Sequence, residues 1–325
     1  MIDEAANDFE GLIAGLLSGS RVHIAKALSF VEAGDPFGLE ILKRVGPLVR
    51  GVPVIGLVGP PGAGKSTLVA RLVGEFGSRG MRVAVLAVDP SSPITGGAVL
   101  GDRIRLTGIV SHDQVFFRSL ASRGAQGAVA RNVRAMSRVL DAAGFDVVLI
   151  ETVGAGQSDV EIMGVADLVV VVVTPDFGDS IQAVKAGLLE IGDLYVVNKS
   201  DNPASSLMKA MLESMLSSSK RTATVMKTTA STGEGVGEVA SMMLQKTEEL
   251  SKTGELARRR ATIFEREVME AAMMELQASL KELFQSEHVS SWLSSELKAG
   301  AEPKELGQRV AKMFLERKGS ELRAG

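Results

Sequence analysis

Hydrophobic positions along the chain fall into three zones with different periods. Through residues 1–50, Leu12, Leu16, Ile24, Leu28 and Val31 recur at helical spacing. From residue 51 to residue 250, short Val- and Ile-rich runs alternate with longer stretches of helical periodicity. That alternation predicts repeated βαβ units and a mostly parallel sheet. Strands are expected at 52–58, 82–88, 115–118, 145–150, 167–173, 193–198 and 224–229. The run DLVVVVVT, Asp167 to Thr174, is apolar at successive rather than alternate positions, as a strand covered on both faces requires. Beyond residue 250 the β-like runs stop. Met269, Met273, Leu276, Leu280 and Phe284 there step by three and four, an apolar helical stripe. Such a stripe either packs on the chain's own main domain or meets another subunit, and methionine serves both uses. The expected fold class is α/β: a domain at 51–250 with a mostly parallel central sheet flanked by helices, and GPPGAGKST, Gly59 to Thr67 after its first strand, makes that a P-loop domain. A helical N-terminal extension at 1–50 and a helical C-terminal region at 251–325 complete the chain.

Composition narrows the class. The 325 residues are 45% hydrophobic and 23% charged, enough for a sizeable core in an ordinary soluble protein. A formal net charge of -3 gives no general attraction to nucleic acid or anionic lipid. The absence of cysteine excludes disulfides, thiolate catalysis and Cys-built zinc sites. Three scattered histidines, His23, His112 and His288, argue against a His-rich metal centre. The opening MIDEAANDFE is acidic where a secretory leader would be basic, and no apolar run reaches the length of a bilayer span. The expectation is a soluble, cytoplasmic protein without nucleic-acid or membrane partners.

The chemistry begins at GPPGAGKST, Gly59 to Thr67. It matches G-x-x-x-x-G-K-[ST], and it follows an apolar strand and opens a helical run, the context that makes the match specific. Gly59, Gly62 and Gly64, with Ala63 between the last two, let the backbone turn its N–H groups around a β-phosphate. The helix N-terminus adds partial positive charge. Lys65 can bridge β- and γ-phosphates, and the Ser66 hydroxyl can ligate Mg²⁺, with Thr67 beside it. A Mg²⁺ site also needs carboxylates. VAVLAV ends in Asp89 and VVLI ends in Glu151, both at the carboxyl ends of strands, where open parallel sheets bind ligands. Glu151 stands where many NTPases carry Asp, and its longer side chain suggests contact through a metal-bound water.

The base is indicated by LYVVNKSD. Asn198, Lys199 and Asp201 form N-K-x-D directly after an apolar strand. A carboxylate at Asp201 can accept N1–H and the 2-amino group of guanine, whereas adenine N1 is an acceptor that would repel it. The Lys199 stem can cover the base, and Asn198 can tie this loop to the phosphate loop. Thr229, Ala230 and Ser231, again after a strand, sit where GTPases approach the guanine oxygen with a backbone N–H. Two further loops bear switch-like features. Gly154, in ETVGAGQSDVEI, falls where GTPases sense the γ-phosphate through a backbone N–H, and DPSSPITGGAVLGDRIRL is rich in Gly, Pro, Ser and Thr.

Taken in order, GPPGAGKST, VDPSSPITGGAVLGDR, ETVGAGQSDVEI, GDSIQAVKAG and VVNKSD resemble the MeaB/ArgK family of methylmalonyl-CoA mutase-associated GTPases. The resemblance implies a GTP-binding and GTP-hydrolysing chaperone of an adenosylcobalamin-dependent acyl-CoA mutase, gating cofactor loading and protecting or reactivating the enzyme. It implies GTP/GDP and Mg²⁺ as cofactors and a homodimer formed through the C-terminal helices. Lys65 and Ser66 then contact phosphate and Mg²⁺. Asp89, Asp102 and Glu151 serve as acidic Mg²⁺ and switch residues, with Lys65, Asp102 and Glu151 the catalytic candidates. Asn198, Lys199 and Asp201 read the base, and Gly178 to Gly187 corresponds to a partner-sensing switch. That segment reads GDSIQ where the family more often has GDELQ, so Ser180 removes an acid.

Ala155 occupies the position after Gly154 where many GTPases place a water-orienting Gln, and Gln157 lies two residues further on. Catalysis would therefore rest on Lys65, Mg²⁺ and backbone positioning, which implies slow intrinsic hydrolysis that a partner raises. Arg103 and Arg105 are candidate charge stabilisers or a solvated face. Competing readings are a metal-insertion GTPase, disfavoured by the missing Cys and sparse His, and a P-loop kinase linked to amino-acid transport, disfavoured by NKSD. A targeting GTPase of the signal-recognition type would need a strongly basic C-terminal part, and here Arg258 to Arg260 are followed by many Glu.

Overall fold

The computed structural model describes residues 2–90, 114–122, 128–152, 164–175, 190–218, 223–298 and 300–324. Seven strands occur among these residues: β1 Val54–Val58, β2 Val83–Pro90, β3 Val115–Ser122, β4 Val147–Thr152, β5 Leu168–Val173, β6 Leu194–Val197 and β7 Thr224–Lys227. They form one sheet in the order β3-β2-β4-β1-β5-β6-β7, and every pairing is parallel. All seven strands expected from hydrophobic periodicity are present. β2 and β3 run further than the apolar pattern suggests, because they pair with each other as far as Pro90 and Ser122. β3 is an edge strand, so it tolerates the polar Arg118 and Ser119 that end its apolar signal.

β1 lies at the centre, between β4 and β5. Side chains of successive residues point to opposite faces, so β5 contributes Val169, Val171 and Val173 to one core and Leu168, Val170 and Val172 to the other. The first core holds α1 Ile2–Leu17, α2 Arg21–Ala33, α3 Pro36–Val45, α5 Ala128–Ala142 and α6 Ser205–Ser218, through residues such as Leu16, Leu28, Ile41, Met136 and Leu212. The second holds α4 Lys65–Ser78 and α7 Val236–Lys252, through Leu68, Leu72, Phe76, Val239 and Met243. The three N-terminal helices thus share a core with the sheet. α3 starts at Asp35, whose carboxylate accepts the Phe37 N–H at 2.8 Å, with Pro36 at the first helical position. Arg118 on β3 reaches back to Glu32 on α2 at 2.5 Å.

At the amino ends of the strands, aspartates accept the N–H groups that begin the neighbouring strands. Asp141 takes the N–H groups of Gly51 at 2.7 Å and Val52 at 3.1 Å. Asp146 takes Arg82 N–H, Asp167 takes Val54 N–H, and Asp193 takes Val169 N–H, at 2.8, 3.0 and 2.9 Å. Two of these acids are also held by α8, Glu255–Gln285. Arg260 donates to both oxygens of Asp167, at 2.9 and 2.6 Å, and Arg259 donates to both oxygens of Asp193, at 3.0 and 2.9 Å. Hydrogen bonding to Asp167 raises the Arg260 pKa above its ordinary value.

The chain divides into two compact units, residues 1–260 and 261–325. Within the second, α9 Glu287–Lys298 and α10 Pro303–Ala324 meet around Trp292. The Arg309 guanidinium lies 4.7 Å from the Trp292 ring centroid, and Glu296 accepts hydrogen bonds from both side chains. Among the described residues no helix is long and apolar enough to cross a membrane.

Asp167 is fully buried, so its removal leaves the Val54 N–H without its acceptor and Arg260 without its carboxylate, with the Gly51 and Val52 carbonyls still accepting from it. Asp167→Ala is expected to lower unfolding free energy by about 3 kcal/mol, the range for breaking one side of a buried ion pair. Urea denaturation followed by circular dichroism measures it, and an unchanged midpoint would contradict this account of the sheet's base.

Candidate functional site

The segment after β1 forms a tight loop at the carboxyl edge of the sheet. Gly59 has φ 143°, and a Cβ there would stand 2.1 Å from the Val172 carbonyl oxygen of β5. Only glycine lets the loop cross the end of the neighbouring strand this closely. Gly62 and Gly64 also have positive φ, 76° and 86°, and Gly64 forms the N-cap of α4. Ala63 between them is buried. Lys65 is the first residue of α4, buried, with its ammonium donating to the carbonyls of Gly59 at 2.7 Å and Pro60 at 3.0 Å. The cation is thereby held against the carbonyls of its own loop.

Ser66, one residue further on, donates its hydroxyl to the Glu151 carboxylate. Glu151 lies on β4, in register with Leu57 of β1 and Ala87 of β2, so it stands at the centre of the carboxyl edge. Its side chain is buried. Thr152, the next residue, turns to the opposite face and donates to the Leu57 carbonyl at 3.3 Å. Asp89 lies on β2 in register with Ala121 of β3. Thr67 is half-buried in the first turn of α4. A hydroxyl and a carboxylate meeting at a helix N-terminus make a hard oxygen pair that suits Mg²⁺. Among the described residues no three His, Cys, Asp or Glu side chains cluster as a metal site. Asp102, Gly154, Ala155, Gln157, Arg103, Arg105 and the segment 178–187 lie outside the described residues.

The second half of the site follows β6 and β7. Asn198 is buried, and its backbone N–H is tied to Val173 of β5 at 2.8 Å. Its side-chain amide donates to the Ala63 carbonyl in the phosphate loop at 2.8 Å. Its carbonyl oxygen accepts the Ala230 N–H at 3.0 Å. One buried amide therefore joins the loop after β1, the loop after β6 and the loop after β7. The Asn198 amide nitrogen also explains Gly64, where a Cβ would stand 2.3 Å from it. Lys199 adopts a left-handed backbone, φ 57°, which turns the chain so that Asp201 emerges exposed.

The loops after β6 and β7 are further laced by residues that motif reading passes over. Ser200 N–H donates to the Thr228 carbonyl at 3.0 Å, and the hydroxyls of Ser200 and Thr229 are 2.9 Å apart. Thr229 N–H bonds the Glu234 carbonyl at 3.0 Å, closing the turn that contains Ala230 and Ser231. Arg71, in the second turn of α4, donates Nε to the Ala230 carbonyl at 3.1 Å and Nη2 to the Ser231 carbonyl at 2.6 Å. No sequence signal marks Arg71: it is one exposed arginine on a helix, and its acceptors lie about 160 residues away.

Asn198→Ala is expected to cost about 2 kcal/mol of stability, because it leaves the buried Ala63 carbonyl and Ala230 N–H unsatisfied. It should also raise protease sensitivity at 229–235 before global unfolding begins. Limited proteolysis and denaturant melts check both, and an unaffected loop would show that the amide does not unite the three segments.

Known proteins resemble this chain over most of its length. A protein of Pyrococcus horikoshii with a provisional GTPase name is 40% identical over 264 residues, 79% of this chain and 83% of its own. The methylmalonic aciduria type A homolog of Mus musculus, a mitochondrial protein, is 33% identical over 282 residues, 80% of this chain and 68% of its own. A solved structure of an LAO/AO transport system kinase superposes with a TM-score of 0.70 at 25% identity, covering 94% of this chain and 97% of that one. The family model of the methylmalonyl-CoA mutase-associated GTPase MeaB matches residues 24–285. The chain belongs to the MeaB family of GTPases.

Proposed function

We propose that this protein binds and hydrolyses GTP as a chaperone of an adenosylcobalamin-dependent acyl-CoA mutase, with methylmalonyl-CoA mutase as the partner. In this role it gates cofactor loading and protects or reactivates the enzyme. The observation that carries the reading is the match to a mutase-associated GTPase family over residues 24–285. The Asn198 bridge supports the guanine part, because it fixes the Lys199–Asp201 loop relative to the phosphate loop.

In this reading the peptide N–H groups of Gly62 to Ser66 and the Lys65 ammonium bind the phosphates. Ser66 and Glu151, with Asp89 and Asp102, would hold Mg²⁺, which when bound neutralises charge on the β- and γ-phosphate oxygens. Asp201 accepts the two guanine donors and Lys199 covers the base. Water attacks the γ-phosphorus as the bond to the bridging oxygen breaks, and the departing GDP is stabilised by Lys65 and the loop N–H groups. With Ala155 in place of a water-orienting Gln, intrinsic turnover is slow, and the partner completes the water's positioning.

Single-turnover hydrolysis with and without the mutase tests this. The expected result is GTP consumed in preference to ATP, at a rate that rises at least about ten-fold when the mutase is added, the scale of a missing positioning group. A fast rate unaltered by the mutase would overturn the chaperone reading. Phosphate transfer to an amino-acid-transport protein instead of water would favour the kinase reading that the structural neighbour's name raises.

The C-terminal helices are the proposed dimer contact. On α8, Phe264, Val268, Met269, Met273, Leu276 and Phe284 are all exposed in the single chain. A contiguous apolar stripe of this kind calls for a covering surface, and a second copy offers the same stripe in return. Met273→Asp is expected to convert a dimer to a monomer in sedimentation equilibrium, and a variant of unchanged mass would remove α8 from the interface.

A further inference from the structure

The loop at 229–232 is held from two sides, once by a residue of the phosphate-binding helix and once by a residue bonded to the phosphate loop. Asn198, bonded to Ala63, takes the Ala230 N–H. Arg71 takes the carbonyls of the next two peptides, Ala230 and Ser231. Arg71 stands six residues after Lys65 on the same rigid helix, roughly 9 Å along its axis. Three successive peptide planes are thus fixed against the element that binds the phosphates. The same helix reaches the start of α7, where Arg79 donates to the Gly237 carbonyl at 2.9 Å and the Ser241 hydroxyl at 3.0 Å.

The peptide between Ala230 and Ser231 decides what this grip accomplishes. A trans peptide is planar, with its C=O and N–H pointing in opposite directions. With the Ala230 carbonyl turned to Arg71, the Ser231 N–H is aimed away from α4. Among the described residues that N–H has no acceptor, whereas the Ala230 N–H is already given to Asn198. A guanidinium is suited to this task, because its planar fork meets two adjacent carbonyls at once, while an ammonium has no fixed fork.

We propose that Arg71 is a positioning residue for base recognition: it orients the Ala230–Ser231 peptide so that the Ser231 N–H donates to the 6-oxygen of guanine. The inference rests on the reading of the loop after β7 as part of a guanine site. Arg71 itself touches neither base nor phosphate, and it acts through the peptides it holds.

Calorimetric titration of the full-length protein with GDP, ADP and 6-thio-GDP tests this. The thio analogue replaces the 6-oxygen with sulfur, a poorer acceptor, and keeps the groups that Asp201 reads. The wild type is expected to bind GDP more tightly than the thio analogue. Arg71→Ala should weaken GDP by about ten-fold, on the scale of one charge-held positioning contact. It should weaken the thio analogue less, so that discrimination shrinks, with turnover at saturating GTP unchanged. Arg71→Lys should fall between the two. Equal weakening of both ligands would make Arg71 a structural tie only and overturn the proposal, as would a wild type indifferent to the sulfur or a drop in saturated turnover. A wild type that binds ADP as tightly as GDP would sink the guanine reading itself, an outcome distinct from unchanged GDP binding in the Arg71 variants.

Discussion

The side-chain amide of Asn198 is the contact through which the candidate site becomes one body. Three loops from distant parts of the chain reach the carboxyl edge of the sheet, and none has secondary structure of its own to fix it. The Asn198 donor and acceptor are opposed across a single rigid amide, so satisfying both bonds sets the phosphate loop and the Ala230 turn at one separation. Burial makes the constraint strict, because an unmet amide away from water costs more than the bond itself contributes. Gly64 follows from it, since any larger residue would displace the amide. Arg71 repeats the same linkage from the outer side of the turn with a longer reach.

The opposite edge of the sheet is ordered by charge. Asp141, Asp146, Asp167 and Asp193 each accept a backbone N–H from a neighbouring strand entrance, and arginines secure several of them. Arg259 and Arg260 place the second turn of α8 at the feet of β6 and β5. The upper ends of those two strands carry the crossing of Gly59 over Val172 and the Asn198 bridge. Both ends of β5 are thus pinned, with the ladders to β1 and β6 and apolar packing between, which suits a strand whose six residues are all buried.

Much of this was legible in the residues themselves. Short Val- and Ile-rich runs located all seven strands, because burial writes itself directly into local pattern. GPPGAGKST and NKSD were legible because each gathers its glycines or polar groups within a few residues directly after an apolar strand. The pairing of Asn198 with the phosphate loop was also foreseeable from the residue type, while its second bond to Ala230 was not singled out. The ends of β2 and β3 were misjudged because edge pairing, rather than hydrophobicity, extends them to Pro90 and Ser122.

The sequence by itself determined the strands, the glycine loop after β1, the N-K-x-D motif after β6 and the family, since each is a short-range pattern. Only the tertiary structure decided which residues hold those pieces in register. Asp167 with Arg260, Ser66 with Glu151, and Arg71 with Ala230 join residues 93, 85 and 159 positions apart. Isolated charged or hydroxyl residues carry no periodicity that would announce a partner at such distances. Their roles arise from the parallel sheet, which brings strand ends together irrespective of their order in the chain.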